Sequence, residues 1–183
     1  KYIIDQAKNF TNKNFKGKKI LGVHFRGSDQ KTQERHPFPA TINQIIFNVS
    51  ELLQRYKFDK VFLVTEELNY QRILKKEFGD RLIFFDSFLS NQHNIFDQNI
   101  RKSHRYKIGK ENIINMLCLS ESDHLLCAQS NLAEAALFFS NKNIKTTKIK
   151  NGFNSNNIFF AQILWYIKKS LPSFMGGFKL KHF

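Results

Sequence analysis

Ile20-Leu21-Gly22-Val23-His24-Phe25-Arg26-Gly27-Ser28-Asp29 is the stretch on which the fold reading turns. Its first six positions form a short, nearly continuous apolar run, the pattern of a strand covered on both faces of a parallel sheet. The run then delivers His24, Arg26 and Asp29 into one tight loop, with Gly27 between them. Runs of the same kind recur at 61–64, 82–85 and 125–127. Helical patterns lie between them. Ile42, Ile45, Ile46, Val49, Leu52, Leu53 and Tyr56 fall on one apolar stripe, at i, i+3, i+4, i+7, i+10, i+11 and i+14. Pro39 and Thr41 mark its start. Segments 68–78, 106–119, 132–139 and 158–168 read as further helices, the last carrying the only tryptophan, Trp165.

Alternating strands and helices predict a doubly wound, Rossmann-like α/β domain with a parallel sheet, a single unit over 1–183 with a basic, Phe-rich tail at 171–183. Ligands of such domains sit beyond the carboxyl ends of the strands, often at helix N-termini. Function is therefore expected in the loops beginning near Phe25, Thr65, Asp86 and Ala128.

The chain has 183 residues, with 29 Lys and Arg against 15 Asp and Glu, a formal charge of +14. That balance suits an anionic partner: a nucleoside diphosphate, nucleic acid or an acidic membrane face. Much of the excess is Lys spread between structured segments, so a plain solvated basic surface is the default reading. A nucleic-acid module predicts exposed aromatics among the cations, whereas the phenylalanines here sit mostly in apolar runs. No apolar run approaches the ~18 residues that span a bilayer. Cys118 and Cys127 lack CxxC spacing and have apolar neighbours, so a reduced, buried pair is expected in a cytoplasmic protein. The basic surface is compatible with peripheral contact at the inner face of a membrane. The first residue is Lys1, so a fragment or processed form is expected.

Arg suits a pyrophosphate because its planar fork donates two hydrogen bonds to neighbouring oxygens. Gly27 lets backbone approach a ligand closely. The bland alternative is a surface turn with an Arg–Asp ion pair. Gln129, Ser130 and Asn131 end the strand at 125–127 and open a helix. They serve as its cap, with Glu134 three residues beyond Asn131, or they face a phosphate. No Walker A loop, GxGxxG or HExxH is present, and no Asp-x-Asp. A metal or cofactor is therefore not expected.

His24-x-Arg26-x-x-Asp29 resembles the first motif of the GDP-fucose-dependent α-1,2-, α-1,6- and protein O-fucosyltransferases, most closely the α-1,6 branch with its nodulation enzymes. There the motif reads His-Val-Arg-Arg-Thr-Asp, with a Glu five residues later and His-Pro soon after. Glu34 and His36-Pro37 stand at those places here. Residues 62–67, Phe-Leu-Val-Thr-Glu-Glu, resemble the family's strand ending in Thr-Asp-Asp. Residues 119–130 resemble its Leu-Ser-x-x-Asp-Phe-Leu-Val-Cys-x-x-Ser. The likeness covers about 18–140. It departs at Gly27, where the α-1,6 branch has a second Arg, and at Asn115, where that branch has an Asp on the guanine.

The resemblance implies a GT-B architecture of two Rossmann-like lobes, with this chain the C-terminal, donor-binding one. It implies transfer of L-fucose from GDP-fucose to a glycan hydroxyl, with inversion and without metal. Arg26 would stabilise the departing pyrophosphate, helped by backbone around Gln129, Ser130 and Asn131. Glu34 would be the general base, and Asp29 would orient Arg26. His24, Thr65, Glu66 and Asn115 would lie along the nucleotide, with Asp123 near the nucleoside in a mainly structural role. Other expectations are a lobe that binds nucleotide-sugar without catalysis, and a basic nucleic-acid-binding domain. The basic segment 99–110 reads either as a solvated loop or as a rim over the phosphates.

Overall fold

The computed structural model describes residues 2–27, 30–91 and 100–180. Five strands form one parallel sheet in the order β3-β2-β1-β4-β5. They are β1 (Ile20–Phe25), β2 (Lys60–Thr65), β3 (Leu82–Ile83), β4 (His124–Cys127) and β5 (Lys145–Lys148). Among the described residues six α-helices accompany them: α1 (Tyr2–Asn14), α2 (Ile42–Tyr56), α3 (Leu68–Phe78), α4 (His104–Leu119), α5 (Asn131–Phe138) and α6 (Ile158–Ser170). This is the doubly wound α/β fold that the alternation predicts.

Every residue of β1 is buried, because the strand has a neighbour on each edge and helices on each face. Side chains alternate across the sheet. Leu21, Val23 and Phe25 join Ile45, Val49 and Leu52 of α2 and Leu74 of α3 in one core. Ile20 points the other way, into a second core with Ala7 of α1, Ile114 and Cys118 of α4, and Ala133 and Ala136 of α5. Both cysteines are free and buried, and burial pushes the Cys118 thiol up to about 12 and the Cys127 thiol to about 11. A small third core joins Phe38, Trp165 of α6 and Phe178 of the tail.

The expected stripe is α2 to the residue. Thr41 Oγ1 accepts from Gln44 N at 3.2 Å and Gln44 Oε1 accepts from Thr41 N at 2.9 Å, a reciprocal cap that closes two orphan donors. Three elements differ from the reading. β3 is shorter than 82–85, ending at Ile83 at the sheet edge. α1 went unread, because it buries only Ala7 fully and its polar residues blur any stripe. β5 also went unread: Lys145-Thr146-Thr147-Lys148 has no apolar residue and forms an exposed edge strand, where lysines discourage further pairing. Of the tail, 181–183 lie outside the described residues, while Phe178 N donates to Lys168 O at 2.7 Å and fastens it to α6.

Gly22 sits in the middle of β1, under the turn that links α4 to β4. A Cβ there would lie 2.6 Å from Ser122 Oγ and 3.1 Å from both Ser122 Cβ and Leu119 Cδ2. Ser122 is fully buried and cannot swing aside. Gly22→Ala is expected to cost about 1–3 kcal/mol of stability by overpacking, read as a lower midpoint in chemical denaturation with an unchanged slope.

Candidate functional site

The strand order reverses between β1 and β4, the switch point at which doubly wound folds open a ligand crevice. Register decides what meets there. His24 pairs with Val64 of β2 and with Cys127 of β4. Two residues further on, each strand delivers a polar group to the same edge: Arg26, Glu66 and Gln129. A cleft of about 310 Å³ opens between them, and His24, Arg26, Glu66, Gln129, Ser130 and Asn131 all line it. Behind it a recess of about 20 Å³ is lined by His24, Thr65, Glu66 and Asn115. Eight of the side chains expected in the site thus share one edge of the sheet.

Arg26 Nε stands 3.3 Å from Glu66 Oε2. The carboxylate facing Arg26 in the described structure therefore comes from the end of β2; Asp29, expected to orient it, lies outside the described residues. His24 is buried, and burial followed by the nearby Arg26 charge lowers its pKa from 6.5 to about 4. The imidazole is neutral at pH 7, so it offers one donor and one acceptor to a ligand without adding charge.

Ser130 is the N-cap of α5, but its side chain makes no capping hydrogen bond. Glu134 does not close a capping box either; it pairs with Lys148 at 2.5 Å. Among the described residues Ser130 leaves the first N–H groups of α5 without a side-chain cap, and Ser130, Asn131 and Leu132 line the same cleft as Arg26, where the helix dipole favours an anion.

Gly27 behaves differently from the expectation. It does not line the cleft. A Cβ there would lie 2.7 Å from Glu67 Oε1, because a buried polar cluster packs against it. Lys31 Nζ donates to that carboxylate at 2.8 Å and lies over the Tyr70 and Trp165 rings. Burial works to lower the Lys31 pKa, yet its hydrogen bonds to Glu67 and Tyr70 leave it raised, so the ammonium stays charged. A side chain at this position would press on the carboxylate end of Glu67, which would have to shift.

Glu34 lies half-buried in the turn that follows. It does not line the cleft, although Gln30, His36 and Pro37 of the same loop do. The loop is held by the segment after β5. Arg35 N donates to Ser155 O, Asn154 N to His36 O and Phe38 N to Gly152 O, at 3.1, 2.8 and 2.9 Å. Asn154 Nδ2 reaches Gln33 O at 3.1 Å and Ala161 O at 3.0 Å.

Several lining residues were not foreseen. Asn112 reaches both hollows, and Glu111 and Ile108 reach the recess. With Asn115 they form one face of α4 at i, i+3, i+4 and i+7, a signal readable in principle. Asn115 Nδ2 lies 3.5 Å from Ser87 Oγ. Phe153 closes the cleft from beyond β5, and no local pattern points to it. Within the basic segment Arg101 is held bidentate on Glu111 at 2.7 and 2.8 Å, while Lys102, Arg105 and Lys107 are exposed; Asn99 lies outside the described residues.

Asp123 is placed at the opposite end. It accepts from Ile20 N at 2.7 Å and meets Lys142 at 3.4 Å, at the amino ends of the strands. It borders a wider, open hollow of about 550 Å³ there. Its part is to bind the start of β1, not a nucleoside. That hollow has the larger volume but lacks the convergent strand exits and helix N-terminus of the cleft.

No protein-family model matches the sequence, and no curated protein matches it. Solved structures do share its fold. NodZ α-1,6-fucosyltransferase co-crystallised with GDP superposes with a TM-score of 0.52 at 16% identity, over 76% of this chain and 41% of that one. POFUT1 in complex with GDP-fucose gives 0.52 at 11%, over 81% of this chain and 46% of that one. POFUT1 in complex with GDP gives 0.53 at 10%, over 80% and 47%. The chain spans less than half the length of the proteins it matches.

The His24 environment carries a pH signature. An unfolded His takes a proton near pH 6.5, while the folded one resists until about pH 4. Between those values the unfolded state binds more protons, so stability falls as pH falls. His24→Asn is expected to remove a loss of up to about 3 kcal/mol across that window, measured by denaturation of both proteins at pH 7 and pH 4.

Proposed function

We propose that the chain is the donor-binding lobe of a fucosyltransferase-like glycosyltransferase that uses GDP-fucose. The observation that carries this reading is the cleft at the switch point. Arg26, the neutral His24 and the uncapped start of α5 converge there, on a fold shared with fucosyltransferases of known structure. The motif resemblance supplies the donor.

In this reading the donor lies in the larger cleft, with the base directed toward the side where Asn115 lines the small recess and the pyrophosphate toward α5. Transfer passes through an oxocarbenium-like state while negative charge grows on the leaving diphosphate. Arg26, its fork aligned by Glu66, and the α5 N–H groups meet that charge without a metal. Thr65 supports the base side of the cleft and Gln129 the phosphate side. Asn115 offers one acceptor where an Asp would accept two N–H groups of guanine, so base selectivity is weaker than an Asp would give. Glu34 is the general base on the acceptor glycan's hydroxyl, and the acceptor is held largely by a second lobe. The coverage of under half the matched proteins also fits a lobe that binds donor and needs a partner for transfer.

GDP is expected to raise the melting temperature more than UDP, ADP or a single-stranded oligonucleotide, without added divalent cation. Ligand at 100 times its Kd contributes about 2.7 kcal/mol. A larger shift with UDP would assign another donor, and salt-sensitive oligonucleotide binding alone would reverse the reading.

Two substitutions separate binding from chemistry. Arg26→Lys keeps the charge and loses the fork, so transfer is expected to fall at least about tenfold. Glu34→Gln is expected to leave GDP affinity unchanged while transfer falls about 10²-fold. Transfer measured with GDP-fucose and a panel of glycan acceptors, beside calorimetric GDP binding, checks both; an unchanged rate in Glu34→Gln removes it as the base.

A further inference from the structure

The outward face of α6 inverts the ordinary pattern of a surface helix. Ala161 and Trp165 point into the domain. On the opposite side Phe159, Ile163 and Tyr166 recur at i, i+4 and i+7 and are exposed, with Phe160 and Ile167 beside them. Phe159 is 82% exposed. The 3-10 turn Ser173–Met175 continues the patch with Phe174, 72% exposed, and Met175. Phe159 and Phe160 sit in an apolar run, as the sequence reading has it, but that run faces solvent. A contiguous apolar face of this kind marks an interaction surface.

Charge indicates what covers it. Glu134 is the last acidic residue of the chain; residues 135–183 carry eight lysines and no Asp or Glu. Lys169 of α6 is exposed, its ammonium 5.5 Å from the Trp165 ring and so beside rather than on the stripe, and Lys179 stands exposed next to the 3-10 turn, paired as a bridge with Pro172. A second copy would set lysine against lysine across the contact. The face is a convex helix surface, with none of the cleft lining found at the strand ends. At 13 residues α6 is too short to span a bilayer, which takes about 20. An aromatic face edged by lysines has the chemistry of a helix lying in the membrane interface, apolar side chains in the acyl boundary and cations among anionic headgroups.

We propose that α6 and the turn after it dock on an anionic lipid surface, with Phe159, Phe160, Ile163 and Phe174 entering the bilayer and Lys169 and Lys179 meeting headgroups. This inference does not depend on the donor the cleft takes.

Trp165 is the only tryptophan and sits on α6, so energy transfer from it to dansylated lipid reports docking directly. The full chain is expected to bind vesicles of equal parts phosphatidylcholine and phosphatidylglycerol, and pure phosphatidylcholine vesicles far more weakly. Phe159→Ser/Phe160→Ser is expected to lower affinity for the mixed vesicles about tenfold or more. Lys169→Gln/Lys179→Gln is expected to weaken binding and flatten its salt dependence. Both pairs are exposed, so circular dichroism and melting temperature should match the parent. Absent binding to the mixed vesicles overturns the proposal. So does binding that ignores the Phe pair, or a concentration-dependent mass that the Phe pair abolishes while vesicles go unbound. An oligonucleotide that binds through the same four residues, with vesicles unbound, also overturns it.

Discussion

Parallel pairing of β1 on both of its edges is the constraint on which the rest depends. All six of its residues are buried, and its neighbours β2 and β4 run to the same end. Because β2 and β3 are laid on one side of β1 before α4 carries the chain back to β4 on the other, the order in which strands are added reverses at that edge. The gap left by the reversal is the cleft. Hydrogen bonding of the ladders therefore does more than stabilise the core: it brings Arg26, Glu66 and Gln129, far apart in sequence, into one rim.

The loop leaving β1 carries most of the expected chemistry, and two polar devices hold it. On one side Lys31 and Glu67 form a buried ion pair against Gly27. Removing one member of such a pair is costly because the other charge is left uncompensated. On the other side Asn154, itself buried, bonds backbone carbonyls of the loop and of α6. The same Trp165 that lies beneath the Lys31 ammonium also donates to Pro39 O at 3.1 Å. The helix with the apolar outer face is thus tied through its inner face to the cleft loop.

Legibility in the sequence followed burial. β1, β2 and β4 are apolar runs because both faces are covered, and α2 shows a clean stripe because one side meets the sheet. α1 and β5 went unread because neither buries enough to leave a pattern. In the site, His24, Arg26, Ser130 and their neighbours could be found because they sit immediately beyond readable strands. Asn112 and Glu111 were harder to find: their spacing from Asn115 along α4 was readable, but not that this face lines a hollow; Ser87 sits in a loop with no local pattern. Asp123 was misplaced for a related reason: a motif gives spacing, and only the strand's direction shows which end of the sheet the residue occupies.

What the sequence determined by itself is the alternation of elements, the class of the fold and the loops in which polar chemistry collects, because these follow from local periodicity and from residues at strand exits. What only the tertiary structure decided is partnership. Arg26 faces Glu66, Gly27 makes room for Glu67, Arg101 is held by Glu111, and α6 turns its phenylalanines outward. Such pairings depend on register and on which helix covers which face, and those are set by contacts between residues distant in the chain.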